Sequence, residues 1–191
     1  MLQKSSLLLF LLLQPISLLS GSVDLFPNTN EQTCTLADNK SWDRLLKSYV
    51  DDNGNVDYHG FKKESESLNS YLEQLGTTTA NETWSREKKL AYFINLYNAA
   101  TVKLILDNYP LKSITDINQP WGKKWIQYGG ERISLGEIEH KILRKMNEPR
   151  IHFAINCASF SCPKLLNEAY TEDKLEKQLG NAAKDFINDP S

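Results

Sequence analysis

The chain has 191 residues, a formal net charge of −2, and 22 Lys and Arg scattered among 24 Asp and Glu. That balance offers no basic patch for a polyanion, so no nucleic-acid partner is expected. No repeat, low-complexity tract or Gly-rich phosphate loop is present, which removes nucleotide-dependent chemistry from the obvious candidates.

The first segment reads as a targeting signal. Lys4 precedes the apolar run Leu7 to Leu13, and Ser20, Gly21 and Ser22 supply small residues for cleavage near Ser22–Val23. The run is far shorter than the roughly 20 residues of a membrane span, so no stable span is expected once residues 1–22 are removed. The expected location is secreted or periplasmic, where disulfides persist. Three cysteines, Cys34, Cys157 and Cys162, make an odd number. At least one must stay free, pair between chains, or be used chemically.

Residues 23–40 have the composition of a flexible lead-in, and a single domain is expected over 41–191. Ser41 is placed to cap a helix with the apolar face Trp42, Leu45, Leu46, Tyr49 and Val50. DDNGNVD then breaks it. With Gly54 in the glycine position of a calcium loop, the first and last ligands would be Tyr49 and Gly60; both fail, so the segment is a turn. A second helix is expected from Tyr58 to Leu75, ended by Gly76. The longest periodic segment runs from about Trp84 to Asn108 and is apolar nearly all round, the pattern of a central helix. Inside it, Asn95 and Asn98 face burial and need partners. They either tie down a neighbouring loop or orient a catalytic or ligand group.

Trp121 and Trp125 lead into WIQYGGERIS, a hairpin near 125–133 turning at Gly129-Gly130. The tryptophans are core residues or the lining of a ligand cleft. SLGE, Ser134 to Glu137, is a capping box opening a helix with the stripe Leu135, Ile138, Ile142, Leu143 and Met146. Glu139 falls inside this stripe and His140 on its edge. A carboxylate on a core face needs a cation or a site to answer it. IHFAINC, bounded by turn signals, is expected as a buried strand near 151–157. The loop ASFSCPKL follows, and Thr171 is placed to cap a last helix carrying Leu175, Leu179, Ala182, Ala183, Phe186 and Ile187. The fold class is α+β, helix-rich, with a small sheet made of the hairpin and the 151–157 strand.

AYFINLYNAATVKLIL, SLGEIEHKILR, HFAINCASFSCPKL followed by AYT, GNVDY at 54–58, and Pro120-Trp121 ahead of the hairpin together resemble the bacterial and plant family called domain of unknown function 547. The resemblance covers roughly 41–188. It implies export for many bacterial members, a further strand-forming segment beyond this chain's end, and no settled activity or catalytic residue.

The chemistry must therefore be read from the residues. One reading is a thiol-dependent hydrolase or transferase, with Cys157 as nucleophile, His140 as base, and Glu139, Asn95 or Asn98 orienting the imidazole or an oxyanion. Glu139 and His140 diverge by 100° on a helix, which weakens it. A second reading joins Cys157 and Cys162 in a disulfide, or pairs Cys34 with either of them and leaves the other free, and makes the domain a binding module for an unknown ligand or protein. A zinc site from His140, His152, Cys157 and Cys162 lacks the usual spacings, so no metal or other cofactor is expected. A redox role lacks the Cys-x-x-Cys spacing. His59 reads as solvent-facing and His152 as a satisfied polar residue. The expectation is an exported domain of uncharacterised activity that binds a ligand or partner, with Cys157/His140 chemistry as the alternative.

Overall fold

The structure, a computed structural model, describes residues 39–159 and 162–188. The expectations for the signal at 1–22, for the lead-in up to residue 38, and for Cys34 lie outside the described residues.

Helix α1 spans Lys40–Tyr49 and buries Trp42, Leu45 and Leu46. It starts one residue before the expected cap. Asn39 takes the cap position, and its side chain reaches across the fold instead of bonding the helix. Residues 51–55 form the expected turn. The Asp51 carboxylate accepts from Asn53 N and Asn55 N at 2.9 and 2.8 Å, and a Val50–Val56 bridge closes it.

The expected helix from Tyr58 is interrupted. Asp57 caps a single turn, α2 (Tyr58–Phe61), which passes through a 3₁₀ turn (Lys62–Glu64) into α3 (Ser65–Thr77). The Ser65 hydroxyl bonds Lys62 O at 2.7 Å, and side-chain competition of this kind disfavours continuous helix. Gly76 does not end α3. A Cβ there would lie 2.9 Å from the carbonyl oxygen of Gln127, so the glycine lets the hairpin approach.

Helix α4 (Arg86–Asp107) is capped by Ser85, whose hydroxyl accepts from Lys88 N at 3.1 Å. It is buried without a break from Leu90 to Val102, as its all-round apolar pattern requires. Helix α3, the hairpin and the segment after it pack around this axis. Strands β1 (Ile126–Tyr128) and β2 (Glu131–Ile133) pair antiparallel with Ile126 opposite Ile133. Gly129 and Gly130 both take positive φ, 58° and 85°, as a two-residue hairpin turn demands. Ser134 and Glu137 form the expected capping box on α5 (Leu135–Glu137), which runs on as a π turn (Ile138–Ile142) and a 3₁₀ turn (Leu143–Met146).

The helix-rich α+β class is what the molecule shows, but the 151–157 strand is not. Ile151–Ala154 is a helical turn, α6, entered from Pro149 and burying Ile151 and Ala154. A short apolar run fits a buried helical turn as well as a strand. Ile155 is extended, its N–H still bonding Ile151 O, and the next N–H, of Asn156, finds a side chain rather than a neighbouring strand. Helix α7 (Leu175–Ile187) starts four residues after Thr171, which is not its cap. Leu175 and Leu179 are buried as expected, but Phe186 is 43% and Ile187 71% exposed. Helix α6 packs on α7, and the Phe153–Phe186 ring contact at 5.3 Å extends that packing to the far end of α7. Among the described residues no helix is long and apolar enough to cross a membrane.

Candidate functional site

Asn95 and Asn98, both essentially inaccessible, use their amides as two-pronged clamps. Asn95 donates to Tyr170 O at 2.8 Å and accepts from Tyr170 N at 3.0 Å. Asn98 donates to Ala154 O at 3.0 Å and accepts from Asn156 N at 2.9 Å. Each amide stands in for the missing strand that would satisfy those peptide groups.

The Asn98 loop carries the cysteines. Cys157 and Cys162 form a disulfide, with Cα atoms 5.9 Å apart. Asn156 braces it from inside, accepting from Ala158 N at 2.9 Å and donating to Pro163 O at 2.7 Å. Glu139 lies on the core side as expected. Arg144 answers its charge at 2.9 Å, and His140 Nδ1 lies 3.6 Å away on a side chain that is 58% exposed. Burial raises the Tyr97 phenol well above its ordinary range, and the Glu139 charge adds to the rise. Among the described residues no hydrogen bond or ion pair joins Glu139 or His140 to either cysteine. The five proposed site residues thus fall into three local groups: a clamp at Tyr170, a clamp plus disulfide at 154–163, and an ion-paired turn at 139–144. His59 and His152 are exposed.

A small cleft of about 110 Å³ abuts the disulfide loop at Ala158, with Tyr58, Tyr109, Leu111, Lys112 and Ser113 among its walls. Burial pushes the Tyr58 phenol up to about 12. The larger cavity, about 170 Å³, lies on the Asn95 side. Leu75, Ala91, Trp84 and Tyr92 make its apolar walls, and Asn39, Lys88, Thr171 and Glu172 bring polar groups. Three ties hold these walls. The Tyr92 hydroxyl bonds Leu75 O and Thr78 O at 2.6 and 2.9 Å. Asn39 accepts from the Tyr71 hydroxyl at 2.8 Å and donates to Tyr170 O at 3.3 Å. Ser85 donates to Glu172 Oε1 at 2.5 Å while capping α4, which sets a carboxylate at the positive end of the helix. The Lys88 ammonium sits over the Trp84 ring, 4.7 Å from its centroid.

The family model described as "Protein of unknown function, DUF547" matches residues 81–187, more than half of the chain. The chain belongs to the DUF547 family. No curated protein and no solved structure matches it. The DUF547 match contains both clamps, the disulfide and six of the eight residues around the larger cavity; Asn39 and Leu75 precede it.

That cavity was missed in the sequence. Trp84 precedes the Ser85 cap of α4 and Lys88 lies in its first turn, so their nearness across the cap was the one local signal. Nothing local marks Glu172, which arrives from 87 residues downstream of Ser85.

Proposed function

We propose that this DUF547 domain is a binding module for a small ligand, which occupies the cavity between α3, the start of α4 and residues 171–172. One observation carries this reading. The cavity has apolar walls tied by hydrogen bonds, and its two charged groups form no ion pair among the described residues: Lys88 lies over the Trp84 ring, and the exposed Glu172 takes one hydroxyl at the start of α4. Convergent polar groups on an apolar, largely pre-formed hollow are the usual form of a ligand site.

Thiol-dependent chemistry is less well supported. It needs Cys157 as a thiolate, and its sulfur is bonded to Cys162. The exposed His140 has Glu139 rather than a thiol beside it. The disulfide also supports the further reading that the domain works after export, in an oxidising compartment.

The test is a thermal-shift screen of the oxidised protein against free amino acids, small carboxylic acids, amines and monosaccharides. A ligand present at about 100 times its Kd stabilises by about 2.7 kcal/mol, a shift easily read. The expected result is a class of compounds that stabilises the native protein and not the cavity-filling variants Ala91→Leu and Ala91→Phe. A screen in which no compound discriminates between native and filled cavities removes the reading.

A further inference from the structure

The geometry points to a ligand class: we propose that the larger cavity takes a free α-amino acid with a small aliphatic side chain. This rests on the binding reading above and deepens it.

Charge is the first argument. A cation and a carboxylate line one cavity of about 170 Å³ and do not pair with each other, although ion pairing is common elsewhere on this surface. Lys88 is held over the Trp84 indole, and Ser85 holds one oxygen of Glu172; the second makes no hydrogen bond among the described residues. Two opposite charges that line one small hollow without pairing complement a zwitterion. The ligand carboxylate meets Lys88, and the ligand ammonium meets the free oxygen of Glu172. A simple anion engages Lys88 alone and a simple cation Glu172 alone, whereas a zwitterion engages both. Charge-assisted hydrogen bonds at both ends fix the orientation.

Size is the second. A cavity of about 150 Å³ holds a molecule the size of benzene. The hollow here is only slightly larger, so the apolar body that fits against Leu75 and Ala91 is an aliphatic side chain up to that of leucine. The Tyr92 hydroxyl is committed to Leu75 O and Thr78 O, which leaves this wall apolar toward the ligand.

Isothermal titration calorimetry on the oxidised full-length protein tests this with three probes of one shape: L-leucine, 4-methylpentanoate without the amine, and 3-methylbutylamine without the carboxylate. L-Leucine is expected to bind at least about tenfold tighter than either analogue, as loss of one charged hydrogen bond implies. Lys88→Met is expected to remove that advantage over the amine, and Glu172→Gln the advantage over the carboxylate. Melting temperatures report whether each variant is folded, and the comparison among ligands on the native protein needs no variant. If an analogue binds as well as L-leucine and Ala91→Leu abolishes that binding, the cavity is a ligand site but the zwitterion assignment is wrong. If none of the three binds while another class from the screen does, the assignment also falls and the binding reading stands. If nothing discriminates native from filled cavities, both fall.

Discussion

Asn95 and Asn98 sit one turn apart on α4 and clamp two loops by the same chemistry, but the loops are held differently. The Asn98 loop is also fastened by a covalent bond between Cys157 and Cys162 and by the internal braces of Asn156. Among the described residues the Asn95 loop has no covalent tie and is held by hydrogen bonds, the Lys174–Glu168 ion pair and the burial of Ala169 and Tyr170. Besides Asn95 and Asn39, Gln178 accepts from Thr171 N and donates to Ala169 O, and Asp43 accepts from Ala169 N. The fully fastened loop borders the smaller cleft; the one without a covalent tie borders the larger cavity, whose two charges form no ion pair among the described residues. A wall held by reversible bonds can give by small amounts to admit a ligand, and a cross-linked one gives less.

The largest effect should come from the clamp with no covalent support. Tyr170 is 2% exposed, so its N–H stays out of water when Asn95 is removed and its carbonyl keeps only the longer 3.3 Å bond from Asn39. At the Asn98 clamp the buried Ala154 carbonyl loses its donor, but the part-buried Asn156 N–H reaches solvent and the disulfide still holds the loop. Asn95→Ala is expected to cost about 3 kcal/mol and Asn98→Ala about 2 kcal/mol, from buried peptide groups left unpaired. Urea unfolding of the two variants gives both numbers. Equal costs, or a larger cost at Asn98, would break the comparison.

Acid should separate the loops next. The turn that delivers α6 to the Asn98 loop is anchored by Glu148, only 7% exposed, which takes a two-pronged bond from Arg150 at 2.7 and 2.8 Å. Arg150 also grips Glu176 on α7, and Arg86 lies 3.6 Å from Glu148. The Arg150 hydrogen bonds hold the Glu148 carboxyl down at about 2, against an ordinary 4.5. The folded state therefore binds this proton less readily than the unfolded chain. Its stabilisation is complete above the ordinary carboxylate range and is lost as pH falls from about 4.5 through about 2. Glu148→Gln is expected to cost roughly 2 to 3 kcal/mol at neutral pH and to flatten that part of the stability curve. Hydrogen exchange should show protection at 151–156 falling in this window in the native protein. An unchanged acid limb in Glu148→Gln contradicts the assignment.

How much of this was legible follows the range of the interactions. The SLGE capping box, the Gly129-Gly130 hairpin and the core face of α1 are set by neighbours a few residues apart, and all three were readable. So was the need of Asn95 and Asn98 for partners, because an amide inside an apolar helix cannot go unpaired. Which loops they would find was not readable, since Tyr170 lies 75 residues from Asn95. The 151–157 run was misread because its periodicity is too short to separate a strand from one helical turn, and the amide that replaces the neighbouring strand belongs to another element. The larger cavity gathers α3, α4 and the 171–172 segment, so only the nearness of Trp84 and Lys88 across the α4 cap hinted at it.

The disulfide comes third in magnitude. A bridge spanning five positions closes little chain, and loop-closure entropy assigns it about 2 kcal/mol. Cys157→Ser with Cys162→Ser is expected to lower stability by that amount while leaving leucine binding in the larger cavity unchanged. A thiol reagent mapped by mass spectrometry should label neither residue in the native oxidised protein and both after reduction. Labelling of Cys157 before reduction would return the thiol reading to consideration. If the double variant instead weakens leucine binding, the two loops are coupled through α4, and the contrast between them is smaller than their fastenings suggest.

The smallest effect lies at the far end of α7, which checks whether the comparison concerns loops or the whole carboxyl-terminal region. Ile187 is 71% exposed and Phe186 keeps one ring contact, with Phe153. Ile187→Ser removes little buried surface and should change stability by less than about 0.5 kcal/mol, as exposed substitutions do. Phe186→Ala loses the ring pair as well, and should cost about 0.5 to 1 kcal/mol. Because Phe153 lies on α6, that loss should be felt at the Asn98 loop and not at Tyr170. Hydrogen exchange distinguishes the two. Faster exchange confined to 151–156 keeps α7's outer end as a brace for the cross-linked loop alone. Faster exchange at 169–172 would mean that α7 transmits between the loops, through Leu175 and Gln178, which lie at the other end of the same helix.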